Sequence, residues 1–281
     1  MKSLHNRKGL TSFSTTAWVF FSLLFLSACS KETKTSELLT ANSLEAITLR
    51  SLSSKAIDTG GLVAWYSFDG GSLKDVSAYH NKIIFNNATP APDRNGVENN
   101  AYHFSGNGSY MRVKNSSSLS PASNITLFAI MKFDDFYEGA CHGNNIICKG
   151  LDNSYFIRAY DGYYHNGTSC YQDVDKAHET FQTSFKYVTA NDTTQQYIQT
   201  GKWYHVIYIF GSGIARMYVD GKLVGATSGH ISNVQPNSYD LYIGGGLAEF
   251  GYPYWFNGTI DQIAVFNRTI NQNQIARLSA Y

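Results

Sequence analysis

Met217-Tyr218-Val219-Asp220-Gly221-Lys222-Leu223-Val224-Gly225 is the stretch on which the fold turns. Asp-Gly between two apolar runs is the strongest short-range signal for a β-hairpin. A two-residue loop at Asp220-Gly221 pairs Val219 with Lys222, Tyr218 with Leu223 and Met217 with Val224, and places Tyr218 and Leu223 on one face of the pleat. Upstream, Gly201-Lys202-Trp203-Tyr204-His205-Val206 opens a run to Phe210 that is apolar or aromatic at nearly every position. That composition suits a strand buried on both faces, or one whose outer face carries aromatics for another purpose. Downstream, Gly258-Thr259-Ile260-Asp261-Gln262-Ile263-Ala264-Val265-Phe266-Asn267-Arg268 reads as a closing strand. Asn271 and Gln274 follow it at capping-box spacing, which predicts a short terminal helix with Ile275 and Leu278 facing inward.

In this order the three stretches resemble the "GxWxHV", "YVDGxLV" and "GxIDxVxVYxR" signatures of the bacterial LamG-like, or concanavalin A-like, jelly-roll family. The N-terminal half agrees. Gly61-Leu62-Val63-Ala64-Trp65-Tyr66-Ser67-Phe68-Asp69-Gly70 is similar to the family's opening strand, and Ala101 to Met111 and Ile125 to Phe133 are similar to its next two signatures. The resemblance implies an all-β concanavalin A-like jelly-roll sandwich of two antiparallel sheets with a short C-terminal helix. One departure stands out: the family's glycine-containing "DxSGNGNxG" is Asp75-Val76-Ser77-Ala78-Tyr79-His80-Asn81-Lys82 here, which predicts a wider or differently held first turn.

The chain has 281 residues and a formal net charge of +1, so it carries no electrostatic footprint for nucleic acid. Lys2, Arg7 and Lys8, then the apolar run Ala17 to Leu26, then Leu26-Ser27-Ala28-Cys29, have the layout of a secretory signal. The last four residues resemble a bacterial lipobox, which implies an acylated Cys29 and anchorage to a membrane without a span. Ser30-Lys31-Glu32 lacks the Asp that would argue for inner-membrane retention, and its Lys-Glu pair resembles a surface-export signal. The expected organisation is a signal peptide over 1–28, a Ser/Thr/Lys-rich tether over 29–59 and one jelly-roll domain over 60–281. The expected location is the cell envelope, on the outer membrane and facing outward.

Beyond Cys29, three cysteines remain, an odd number, in a compartment where disulfides form. If Ile125 to Phe133 and Asn145 to Lys149 are antiparallel neighbours, Cys141 and Cys170 fall at one end of the sheet and form the expected pair. Cys148 is then a buried thiol, and a Cys141–Cys148 bridge is the alternative.

Function is less legible. Retaining hydrolases of this architecture take two carboxylates about 5 Å apart from alternate positions of one strand. No Glu-x-Asp-x-Glu is present, nor a Gly-x-Ser-x-Gly elbow or a His-Glu-x-x-His motif. Arg158 and Tyr160 share a strand face and His205 lies on another strand, which keeps a polysaccharide lyase in view, although His205 fits a satisfied core histidine better. Aromatics make up 15% of the chain, twenty of them tyrosine, more than two sheets need for their cores. Two segments hold the surplus: Tyr160, Asp161, Tyr163 and Tyr164 in one, and Tyr252, Tyr254 and Trp255 in the other. Such rings stack on the C–H faces of sugars, so they are the expected ligand-binding residues. Trp255, two residues before an Asn257-Gly258 turn, suits either a core or an exposed position.

The family resemblance also implies one structural calcium ion, with Asp261 as ligand and Asp69 or Asp75 as a second carboxylate, against the plainer reading of Asp261 as a turn cap. The leading expectation is a surface lipoprotein that binds carbohydrate without catalysis. An adhesion module for protein partners comes second, and a polysaccharide-active enzyme third.

Overall fold

The structure, a computed structural model, describes residues 57–138, 143–150, 154–160, 178–230, 238–246 and 253–281. All of these belong to one of the two units into which the chain divides, 52–281; the other, 1–51, lies outside the described residues.

Fifteen strands are present among the described residues. In order they are β1 (Leu62–Tyr66), β2 (Ile83–Asn86), β3 (Thr89–Ala91), β4 (Ala101–Ser105), β5 (Met111–Val113), β6 (Ile125–Asp135), β7 (Asn144–Lys149) and β8 (Tyr155–Tyr160). Then come β9 (Thr180–Phe185), β10 (Val188–Asn191), β11 (Trp203–Gly211), β12 (Ile214–Val219), β13 (Lys222–Ser228), β14 (Leu241–Ile243) and β15 (Asn257–Phe266). One helix, α1 (Gln272–Ser279), follows. The strands form two antiparallel sheets: a back sheet ordered β13-β12-β11-β6-β15-β4-β3, with β1 beside β15, and a front sheet ordered β10-β9-β8-β7-β14-β5-β2. This is the expected jelly-roll sandwich.

The core lies between the sheets because both contribute alternate apolar residues to it. From β11, Tyr204, Val206, Tyr208 and Phe210 point into it, facing Tyr155, Ile157 and Ala159 of β8. The intervening Ile207 and Ile209 face outward yet are also buried, under a second cluster that includes Trp65, Phe128, Ile275 and Leu278. The doubly apolar pattern of β11 thus has a cause: α1 packs over the outside of the back sheet. The helix starts as its sequence requires. Asn271 accepts the Gln274 N–H at 3.0 Å and Gln274 accepts the Asn271 N–H at 3.4 Å, and Ile275 and Leu278 are buried.

Three local expectations are corrected, and a fourth, the differently held first turn, is met. The Asp220-Gly221 hairpin forms with both residues at positive φ, 48° and 78°, but Met217 pairs with Gly225 rather than Val224. A bulge between Met217 and Tyr218 accounts for the shift. It turns Val224 into the core, where its carbonyl accepts the Thr193 N–H and hydroxyl. Only glycine fits opposite Met217, because a Cβ at 225 would lie 2.1 Å from the Asn191 carbonyl oxygen.

Second, β6 and β7 are not neighbours; they belong to different sheets, since the chain crosses the sandwich between them. Third, Asn257 and Gly258 do not make a turn but begin β15. Fourth, the glycine-free first turn is closed by His80 at φ 50° and by Asp75. The Asp75 carboxylate accepts from the backbone N–H groups of Trp65, Ser77 and Asn81 and from the Ser77 hydroxyl.

Candidate functional site

The outer face of the back sheet is sealed by the helix-side cluster, whereas the outer face of the front sheet carries polar and aromatic side chains in register. Strand β8 sets the pattern: Tyr155, Ile157 and Ala159 are core, so Phe156, Arg158 and Tyr160 project the other way. Pairing extends Arg158 into a row, with Asn145 of β7 on one side and Gln182 of β9 on the other, and Gln182 pairs with Asn191 of β10. Arg158 Nε donates to Gln182 Oε1 at 2.7 Å, and Gln182 Nε2 donates to Asn191 Oδ1 at 2.8 Å.

Aromatic rings hold the guanidinium in place. Its central carbon lies 4.2 Å from the centroid of Phe156, 5.4 Å from Tyr160 and 5.8 Å from Tyr254. Such cation–π contacts fix a planar donor without using its Nη groups. Beside it, Asn145 is 2% exposed and its Oδ1 is buried with no hydrogen-bond partner. A buried acceptor left unmet costs about 1–3 kcal/mol.

The structure thus brings two of the expected residues, Tyr160 and Tyr254, around one arginine. Tyr254 is corrected from an open stacking ring to a wall of the site: it is 7% exposed, at φ 43°. Its ring packs against Gly143, where a Cβ would meet it at 2.9 Å, and its carbonyl accepts the Asn145 N–H at 2.9 Å. Trp255 is partly buried and points to a different cluster. It stacks on Tyr110 at 5.8 Å, and Tyr110 stacks on Phe85 at 4.7 Å. Asp161, Tyr163, Tyr164 and Tyr252 lie outside the described residues, as do Cys29, Cys141 and Cys170. Cys148 is buried on this sheet, its thiol donating to the Gly150 carbonyl at 3.0 Å.

Sequence reasoning missed Asn145, Gln182, Tyr110 and Phe85 as members of this face. Arg158 and Tyr160 were visible through their i, i+2 spacing. Register was the missing information, since a row that crosses four strands leaves no mark along one. Arg158 and His205 do not meet, because β8 and β11 belong to different sheets, so the lyase-like trio is not assembled. Nor is His205 the fully satisfied histidine expected: its Nε2 is buried without a hydrogen-bond partner, and its Nδ1 lies 3.7 Å from Asp220.

The residues expected to hold calcium do not suit it. Asp261 lies at a bulge within β15, between Ile260 and Gln262, and is fully buried. Its Oδ2 lies 2.5 Å from Arg94 Nη1, and Arg94 Nη2 donates to the Tyr281 carbonyl. A guanidinium therefore stands where an ion would bind. Asp75 spends its oxygens on N–H and O–H donors, Asp69 is exposed, and no group of three or more His, Cys, Asp or Glu residues able to hold a metal occurs among the described residues.

Comparison with solved structures returns the same architecture from unrelated contexts. Domain 4 of AbnA, a GH43 extracellular arabinanase from Geobacillus stearothermophilus in complex with arabinotriose, is 16% identical with a TM-score of 0.55, over 78% of this chain and 98% of that one. The binding domain of Paraclostridial Mosquitocidal Protein 1 is 13% identical with a TM-score of 0.57, over 79% of this chain and 52% of that one. Trypanosoma rangeli sialidase in complex with sialic acid is 19% identical with a TM-score of 0.56, over 80% of this chain and 33% of that one. The chain therefore spans about half of the toxin domain and a third of the sialidase. No curated protein sequence matches significantly. The family model described as the concanavalin A-like lectin/glucanases superfamily matches residues 105–276, more than half of the chain, and with both sheets accounted for the chain belongs to that superfamily.

Proposed function

We propose that this chain is a non-catalytic carbohydrate-binding protein, held on the outer membrane by acylated Cys29 and presenting the front sheet to glycans. One observation carries the reading: an arginine fixed by three rings and an unmet, buried Asn145 acceptor sit side by side in register. A sugar hydroxyl accepts from Arg158 and, once the Asn145 side chain turns outward, donates to it, while the C–H face of its ring lies on Tyr160. The neighbours lend support of a coarser kind, since the arabinanase domain is in complex with arabinotriose and the sialidase with sialic acid.

The test is a binding screen of the full chain against arabinan, xylan, β-glucan and sialylated oligosaccharides, scored for retention and for release of reducing ends. Retention without cleavage, lost in Arg158→Ala and in Asn145→Leu while the fold persists, is the expected result. Release of new reducing ends would move the protein to the enzymatic reading, and retention unaffected by either substitution would remove the front sheet as the site. For the anchor, Cys29→Ser should move the protein from the membrane to the soluble fraction; retention in the membrane would refute acylation there.

A further inference from the structure

At the end of the sandwich where β10 leaves the front sheet and β11 enters the back sheet, a cleft of about 560 Å³ opens between the two sheet edges. That volume falls within the range of small-ligand pockets, roughly 300–1,000 Å³. Its floor is apolar, made by Phe181, Ile198, Tyr204 and Val224. Gln195, Gln196 and Gln199 stand on its rim.

Each feature of the rim suits a polyol. A primary amide both donates and accepts, so three of them match neighbouring hydroxyls, which also do both. Charge is balanced: Lys202 and Lys222 are offset by Asp192 and Asp220, with Lys202 Nζ 3.3 Å from Asp220 Oδ2. The Tyr204 hydroxyl accepts the Gln199 N–H at 2.8 Å, which leaves its own proton to donate. Tyr197 is 40% exposed, and His178 braces it edge-on at 4.5 Å. A large ring held at the surface beside a cleft is a stacking platform. Gln195 has φ 57°, a left-handed conformation that a residue with a Cβ adopts at a cost of about 1–2 kcal/mol.

We infer that this cleft is a second saccharide site, which takes a neutral sugar unit through its vicinal hydroxyls with one ring face on Tyr197. The inference stands on the cleft's own residues and does not depend on the front-sheet site.

Hydrogen exchange of the full chain, read by mass spectrometry with arabinotriose, cellotriose, maltotriose and sialyllactose, tests it. At least one neutral trisaccharide should slow exchange in peptides covering 192–204 and 219–224. The double substitution Gln196→Ala with Gln199→Ala should weaken that protection about tenfold, as expected for two lost hydrogen bonds. Both glutamines are exposed, so the unfolding midpoint should stay fixed. Protection here that survives Arg158→Ala supports a separate site, even if the front sheet proves silent. The inference is overturned if no neutral trisaccharide protects 192–204, if only sialyllactose does, if the double substitution leaves protection intact, or if Arg158→Ala abolishes it.

Discussion

Replacing Arg94 by Met tests the strongest electrostatic feature of the fold. The pair with Asp261 is 2.5 Å apart, with side chains 9% and 0% exposed, so neither charge has water to fall back on. At an effective dielectric of about 20 the attraction is roughly 6–7 kcal/mol, while desolvation costs several kcal/mol per ion. The pair therefore adds little net stability, yet removing one partner strands the other at a cost of about 3–5 kcal/mol. For a domain of this size that corresponds to a fall in Tm of roughly 6–20 °C. Arg94→Met and Asp261→Asn should each show a loss of this order in thermal unfolding followed by circular dichroism. Arg94→Met combined with Asp261→Leu should lose less than the sum of the two singles, because no charge is left unpaired. Calcium or a chelator should not move the Tm of the unaltered chain. A fall under about 0.5 kcal/mol in both singles, or a calcium-dependent rise in Tm that Asp261→Asn abolishes, would refute the assignment of Asp261 to Arg94.

Three further outcomes are expected. Gly225→Ala should destabilise by about 1–3 kcal/mol or more in urea unfolding, since the Asn191 carbonyl 2.1 Å from the new Cβ is backbone and cannot rotate away. Burial opposes ionisation of Asp220, but the adjacent His205 side chain, a hydrogen bond from the His205 backbone N–H and the charge of Lys202 outweigh it and hold the carboxyl below its ordinary range. A depressed carboxyl adds stability that is present above its unfolded value and lost as pH falls through the folded one. Asp220→Asn should therefore destabilise at pH 7 and match the unaltered chain near pH 2; equal stability at both would refute it. Lys149 titrates the other way. Burial lowers it to about 8 despite Asp240, so between that pH and its ordinary value the unfolded chain holds more protons and stability rises with pH. Urea midpoints should climb from pH 8 to 10 and do so less in Lys149→Met, before the buried tyrosines Tyr66, Tyr155 and Tyr208, all raised by burial, reverse the slope.

What the sequence disclosed follows from how local each signal is. The Asp220-Gly221 turn, the Asn271 cap and the run through Tyr208 are contained within a few residues, and all three form as read. The bulge at Val224 was invisible because its cause, the close approach of Asn191, comes from a strand of the other sheet. The same holds for Asp261. Its partner Arg94 is 167 residues away in sequence, and an isolated Asp in an apolar strand reads equally as an ion ligand. Tyr254 was misjudged for a related reason: aromatic surplus counts rings but does not say which of them ends against a glycine such as Gly143.

The two outer faces explain why the proposed glycan site is put on the front sheet. On the back sheet, the outward residues of β6 and β11, namely Phe128, Ile130, Ile207 and Ile209, are apolar, and α1 covers them with Ile275 and Leu278. That face is used up in stability, because uncovering it would expose the second apolar cluster to water. On the front sheet the outward row is Asn145, Arg158, Gln182 and Asn191, which no folding argument requires in place of the β-branched residues that strands favour. A polar row with one buried acceptor unmet is less stable than an apolar or fully satisfied one. Replacing Asn145 by Leu should thus leave the protein as stable or more so while weakening glycan retention. A destabilising Asn145→Leu that left retention unchanged would mean that the residue serves the fold and not a ligand.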